Sequence, residues 1–297
     1  MLLSAALALL VSAQPANPPK AFEFKDGDRV VWVGGTLVER EQRYGHWEAV
    51  LIGANPDKSI TFRNLGWSGD TVHAESRGRF DFNNPDRCFK QLVDQTLALK
   101  PTVILVSYGT NEAFEGKEGL PKFERGMEKL LDALKPATAR VVLFSPLPAE
   151  KAPGLPDPKP LNEKFALYSG AIRGIADKRG HYFADLFRVV QGSGPAAYTD
   201  NGLHPTETGY EVLAASFLAS LGAAAPSRKL DAPVGALRAA VVGKNEQFFN
   251  KWRPQNETYL FGFRKHEQGR NAKEIAEFDP FIERAESEIA KLRKELK

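Results

Sequence analysis

Arg29-Val30-Val31-Trp32-Val33-Gly34-Gly35-Thr36 is an apolar run that breaks at two glycines and hands over to a hydroxyl residue. Four more runs repeat that form. Ser59-Ile60-Thr61-Phe62 ends at Asn64-Leu65-Gly66, and Val103-Ile104-Leu105-Val106 ends at Tyr108-Gly109. Val141-Val142-Leu143-Phe144 ends at Ser145-Pro146, and His181-Tyr182-Phe183-Ala184 ends at Asp185. Near-continuous apolar runs suit strands of a parallel sheet covered on both faces. Segments of helix length separate them: Phe89 to Leu99, Leu120 to Leu134, Asn162 to Lys178 and Thr206 to Leu221. The alternation predicts an α/β fold, a doubly wound, flavodoxin-like parallel sheet of about five strands with helices on both faces. Ligands of such sheets sit beyond the carboxyl ends of the strands, so the residues that follow each run are the candidates for chemistry.

Working outward, residues 22–222 read as one domain, and residues 223–297 as a linker and a C-terminal extension. The 297-residue chain is long enough for this. Pro146 to Pro160 is proline-rich and predicts an irregular loop. Ala223 to Val242 lacks a clear period and reads as linker. In the tail, Asp279-Pro280 predicts a helix start, with Asp as cap and Pro in the first turn. Phe281, Ile282, Ala285, Ile289, Leu292 and Leu296 form the apolar stripe of that helix.

The net charge of +3 is too small to argue for a nucleic-acid partner. Cys88 is the single cysteine, which excludes an intrachain disulfide. Residues 1–13 read as a signal peptide: Leu2 to Val11 is apolar but too short to span a bilayer, and Val11-Ser12-Ala13 offers small residues for cleavage. No later stretch is long and apolar enough to span a membrane. The expected location is secreted or periplasmic. No metal-ligand spacing and no phosphate loop is visible, so neither a metal nor a cofactor is expected.

Four blocks at strand ends matter together. They are Gly34-Gly35-Thr36, Asn64-Leu65-Gly66-Trp67-Ser68-Gly69-Asp70-Thr71, Gly109-Thr110-Asn111-Glu112 and Asp200-Asn201-Gly202-Leu203-His204-Pro205. In these residues and their order the chain resembles the SGNH/GDSL hydrolase family, over about residues 28–221. The resemblance implies an esterase-like or lipase-like activity with a nucleophile in the first block. It implies an oxyanion hole from Gly69 and Asn111, and a base, His204, in the fourth block. Thr36 stands where the family has its serine, and Gly35 where an aspartate usually stands. Asn201 stands three before His204, where the family has the orienting aspartate, and Asp200 is one position earlier.

Chemistry weighs on these departures. An alcohol nucleophile needs a base within reach, and the base needs a partner that fixes its tautomer. On the sequence reading, Asn201 accepts a hydrogen bond from the ring but cannot compensate imidazolium charge. Asp200, adjacent in sequence, is a candidate substitute orienter, and the extra methyl of Thr36 stiffens χ1 and crowds the attack path. Two functions follow. One is hydrolysis of ester bonds, deacetylating an acylated carbohydrate. The alternative is a catalytically silent carbohydrate-binding or interaction module on the same fold. Trp67 and Tyr108 are candidates to line a sugar cleft. The aromatic and cationic tail from Trp252 to His266 reads either as a flap over that cleft or as a segment packed on the domain surface. His46, His73, His181 and His266 match no family position and read as structural or surface residues. If the signal reading holds, mass spectrometry of the natively exported protein will find Gln14 at or close to its N-terminus; an intact Met1 contradicts it.

Overall fold

The computed structural model of the chain describes residues 21–78, 83–193, 197–223 and 232–296; the expected signal peptide lies outside the described residues. Among these residues, β1 (Arg29–Gly34), β2 (Thr61–Asn64), β3 (Val103–Ser107), β4 (Arg140–Phe144) and β5 (Tyr182–Ala184) form one parallel sheet. Its order is β2-β1-β3-β4-β5. The winding reverses between β1 and β3, which places the switch point, and its crevice, beyond Gly34 and Ser107. The expected second strand begins two residues late. The Ser59 amide donates to Asp26 Oδ1 (2.6 Å) and its carbonyl accepts from Gly27 N (2.8 Å), so the ladder starts only where Thr61 N reaches Asp28 O.

Both faces are covered, as the unbroken apolar runs imply. Val30 and Trp32 of β1, Val103 and Leu105 of β3, and Val142 and Phe144 of β4 enter one core layer. Their neighbours Val31, Val33, Ile104, Val106, Val141 and Leu143 enter the other. Alternate side chains of a strand point to opposite faces, so each strand feeds two cores. Helices α1 (Thr36–Tyr44) and α2 (His46–Gly53) follow β1. Next come α3 (Pro85–Ala98), α4 (Gly116–Leu134), α5 (Lys159–Arg179), α6 (Leu186–Ser193), α7 (Glu207–Val212) and α8 (Ala214–Ser220). Trp47 of α2 and Phe217 of α8 stack at 4.4 Å in the first layer. Leu92 of α3, Phe123 of α4 and Phe165 of α5 fill the second.

The extension departs from the sequence reading. Residues 224–231 of the expected linker lie outside the described residues, but from Ala232 the chain is helical: α9 (Ala232–Trp252). Its buried positions are Leu237, Val241, Lys244, Asn245 and Phe248. That spacing is a proper helical stripe. Two members are polar, which is why no apolar period was visible. Two short helices follow, α10 (Glu257–Leu260) and α11 (Lys265–Gln268), and then α12 (Asp279–Lys294) packs back on α9. Asp279 does not cap α12; it pairs with Lys251. Of the expected stripe, Ile282 and Ile289 are buried, but Phe281 is 51% exposed. No helix of the described residues is long and apolar enough to cross a membrane.

Lys244 explains how the extension attaches. It is fully buried, and its ammonium donates to Glu48 Oε1 of α2 (2.7 Å), to Phe62 O of the edge strand β2 (3.0 Å) and to Asn245 Oδ1 (2.7 Å). Asn245 Nδ2 donates to the other oxygen of Glu48 (3.1 Å). The charges are thus paired and hydrogen-bonded, the condition under which burying them is tolerable. Removing one partner strands the other. Lys244→Ala is expected to lower the unfolding free energy by about 3–5 kcal/mol in urea denaturation. Lys244→Met combined with Glu48→Leu is expected to recover much of the loss.

Candidate active site

The first strand ends in a turn that tolerates no side chain. A Cβ at Gly34 would sit 2.5 Å from Ser107 O and 2.6 Å from Val38 Cγ2. Glycine here lets α1 start against the end of β3, and Thr36 is its first residue. The Thr36 hydroxyl does not cap α1; its Oγ1 accepts a hydrogen bond from Gly69 N (3.1 Å). Gly69 has φ +75°, a conformation that favours glycine, and this turns its amide toward the hydroxyl. Asn111 Nδ2 donates one hydrogen to Asp70 O (2.9 Å), which leaves the second amide hydrogen for another acceptor. Gly35 faces the same space: a Cβ there would lie 3.2 Å from Asp70 O and 3.8 Å from Asn111 Nδ2.

One cleft is lined by Thr36, Asn111 and His204, with Leu37, Leu147, Phe165 and Leu203 as apolar wall. Gly69 adjoins it through its bond to Thr36. The four blocks therefore converge at the switch point. No hydrogen bond joins Thr36 to the His204 ring among the described residues.

The partners of His204 differ from the sequence expectation. Asn201 Oδ1 accepts from Leu203 N (3.2 Å) and from His204 N (2.9 Å), which identifies its other terminal atom as the amide nitrogen. That Nδ2 stands 2.9 Å from His204 Nδ1. Asn201 thus donates to the ring rather than accepting from it, and the neutral imidazole carries its proton on Nε2. Asp200 is not brought to the ring: its carboxylate pairs with Arg40 (2.8 Å), which also reaches Pro205 O (3.3 Å). Burial lowers the His204 pKa, and the Arg40 charge lowers it further against Asp200.

Beneath the cleft lies a polar floor that sequence reasoning missed. Asp70 and Arg77 form a salt bridge (2.8 Å) with both side chains wholly buried. Tyr108 donates to Asp70 Oδ2 (3.0 Å), and Arg77 Nη2 donates to Leu65 O (2.8 Å). Burial pushes Asp70 up, opposed chiefly by Arg77. Glu112, next to Asn111, accepts from Val72 N (2.8 Å) and Gly109 N (2.9 Å), tying the second block to the third. Asp70 and Glu112 stood within the quoted blocks, but Arg77 and Arg40 carry no local signal. Tyr108 does line the cleft, while Trp67 lies outside its lining. The tail is not a flap over the lining either. Trp252 and Arg253 pack on Trp67 instead.

A doubly wound sheet with this cleft at its switch point is a hydrolase-like α/β architecture. Comparison with known proteins agrees. The profile of the GDSL-like Lipase/Acylhydrolase family matches residues 27–212. An acetylxylan esterase of Geobacillus stearothermophilus is 23% identical over 217 residues, 66% of this chain and 91% of that protein. An acetylxylan esterase of Xylanibacter ruminicola is also 23% identical over 222 residues, 66% of this chain but 44% of that longer protein. The crystal structure of the Geobacillus esterase Axe2 superposes with a TM-score of 0.51 at 20% identity, covering 68% of this chain and 98% of that one. LAE5, an alpha/beta hydrolase enzyme from the metagenome of Lake Arreo, gives 0.51 at 20% identity over 67% and 97%. The chain belongs to the GDSL-like lipase/acylhydrolase family of ester hydrolases.

Glu112 provides a test of the cleft floor. Burial pushes its pKa from 4.5 up to about 7, against the pull of backbone N–H donors, that of Val72 foremost. The folded protein then holds a proton that the unfolded chain has released, so this group costs stability as pH rises from 4.5 through 7. The cost is about 3 kcal/mol once pH exceeds 7. Urea denaturation across that window should show the wild type losing stability relative to Glu112→Gln by an amount of this order; parallel pH profiles contradict it.

Proposed function

We propose that the chain removes acetyl groups from esterified carbohydrate outside the cytoplasm. Thr36 is the nucleophile. Gly69 N and the second hydrogen of Asn111 Nδ2 hold the oxyanion, and His204 moves the proton. The observation that carries this reading is the pairing of Thr36 Oγ1 with the Gly69 amide beside Asn111 and His204 in one cleft. A carbonyl carbon attacked by Thr36 brings its oxygen to donors already in place, the arrangement that stabilises a tetrahedral intermediate. Leu37, Leu147, Phe165 and Leu203 line the cleft and offer an apolar wall for the acetyl methyl. The acetylxylan esterase relatives support the same substrate class.

In the reaction Thr36 Oγ bonds to the acetyl carbon and its proton passes to His204 Nε2. The sugar oxygen leaves with that proton, and water then releases acetate from Thr36 by the same route. The resting ring opposes the first step. Its Nε2 carries a proton, and the alternative tautomer would set Nδ1–H against the Asn201 amide hydrogens. Turnover is therefore slow. An oxyanion hole with binding alone retains roughly 10³–10⁴-fold acceleration over water.

Replacing Asn201 with Asp resolves the clash: one carboxylate oxygen keeps the two backbone bonds and the other accepts Nδ1–H. In a serine protease the reverse change lowers turnover by about 10⁴-fold. Asn201→Asp is expected to raise kcat/KM on p-nitrophenyl acetate and acetylated xylo-oligosaccharides by about 10² or more. Thr36→Ser adds to this more than multiplicatively, because the groups act as a unit. Thr36→Ala abolishes it. A wild type that is already fast and indifferent to Asn201→Asp overturns the role given to Asn201. The donor-facing ring also favours a second reading, a site that binds an acetylated sugar without cleaving it. Calorimetric binding with no hydrolysis by the double variant would establish that reading.

A further inference from the structure

We propose that Arg253, in the C-terminal extension, is a positioning residue for the Gly69 amide; the inference rests on the oxyanion role given to Gly69 above. Gly69 follows Trp67 and Ser68, and both are held. Ser68 donates twice to Glu39 of α1, through N to Oε2 (2.9 Å) and through Oγ to Oε1 (2.8 Å). Arg253 closes the far side of that carboxylate by donating to Oε2. The same guanidinium lies over Trp67, its central carbon 3.5 Å from the ring centroid, while Arg77 approaches that ring at 5.4 Å. Trp252 meets Trp67 edge-on at 6.0 Å. One side chain thus fixes residue 67 directly and residue 68 through Glu39, and both lie immediately before the amide in question.

The chemistry requires arginine. A planar fork donates in its own plane to Glu39 while its face stacks on the indole; a lysine ammonium makes the ion pair without the stack. The pair is sheltered, with side-chain exposures of 19% for Arg253 and 10% for Glu39, so water competes weakly for it. Gly69 has no side chain of its own to anchor it and sits at positive φ. Its direction is therefore set by its neighbours. Arg253 also lies beyond residue 212, where the match to the family ends. A donor inside the hydrolase domain is aimed by a residue outside it. Lys244 secures the helix that delivers Arg253.

The test compares full-length Arg253→Ala, Arg253→Lys and Arg63→Ala. Arg63 pairs with Glu286 of α12 and so ties the extension to β2 away from the loop. Two measurements are made: amide hydrogen exchange by NMR, and kcat and KM on p-nitrophenyl acetate. Arg253→Ala is expected to speed Gly69 exchange by about tenfold or more while amides of Val31 and Ile104 hold. It is expected to lower kcat by about 10–100-fold with little change in KM, the mark of a misaimed oxyanion donor. Arg253→Lys recovers part of both, and Arg63→Ala changes neither. Unchanged Gly69 exchange in Arg253→Ala overturns the proposal, as does an equal effect from Arg63→Ala, which would make it a matter of general stability. A wild type with no esterase activity overturns the hydrolase reading instead, and the exchange measurement then decides whether Arg253 holds the loop.

Discussion

A carbon atom added at Gly66 would lie 2.3 Å from the backbone nitrogen of Glu39. That close approach, with its counterpart at Gly34 against Ser107, presses the start of α1 between the ends of β2 and β3. The rest of the site follows from it. Once α1 begins there, its successive residues reach each loop in turn. Leu37 O accepts from Tyr210 (2.6 Å), Val38 O from Asn64 (2.7 Å), Glu39 from Ser68, and Arg40 donates to Asp200. Thr36 itself receives Gly69. One helical turn gathers the second and fourth blocks around the end of the first strand, and the cleft is what remains between them.

The cleft has one electrostatic peculiarity. The histidine is half-buried, and its partner is a carboxamide whose oxygen is already committed to two backbone amides. Such an amide can offer only hydrogens to the ring. Where a carboxylate would stabilise imidazolium, Asn201 donates to Nδ1 and favours the neutral ring with its proton on Nε2. Meanwhile the carboxylate of Asp200 pairs with Arg40. In the reading proposed for this site, the donors Gly69 and Asn111 are in place and the proton-transfer side is what limits it.

Beyond the hydrolase domain, stability and site geometry share elements. The buried Lys244–Glu48–Asn245 cluster holds α9 against the edge strand, where unpaired backbone groups would otherwise be exposed. The same helix carries Arg253 to the loop before Gly69. An extension with a mixed polar stripe thus covers the domain's edge and packs against the loop before Gly69.

The sequence alone determined the strands, their parallel pairing and the order of the four blocks, because apolar runs of strand length bounded by glycine are local signals and the α/β winding rule is general. It also singled out Thr36, Gly69, Asn111 and His204, which the fold gathers at one cleft, since each lies in a short block of turn-forming residues between the elements. What it missed has one physical cause: hydrogen-bond direction and charge pairing are set between residues far apart in the chain. Whether Asn201 gives or takes a hydrogen depends on where its oxygen is already bound. Asp200 was lost to Arg40, 160 positions away, and Arg77, Lys244 and Arg253 acquire their meaning only from partners brought to them by folding. The helix from Ala232 escaped the periodicity because tertiary contacts, not apolarity, bury its Lys244 and Asn245.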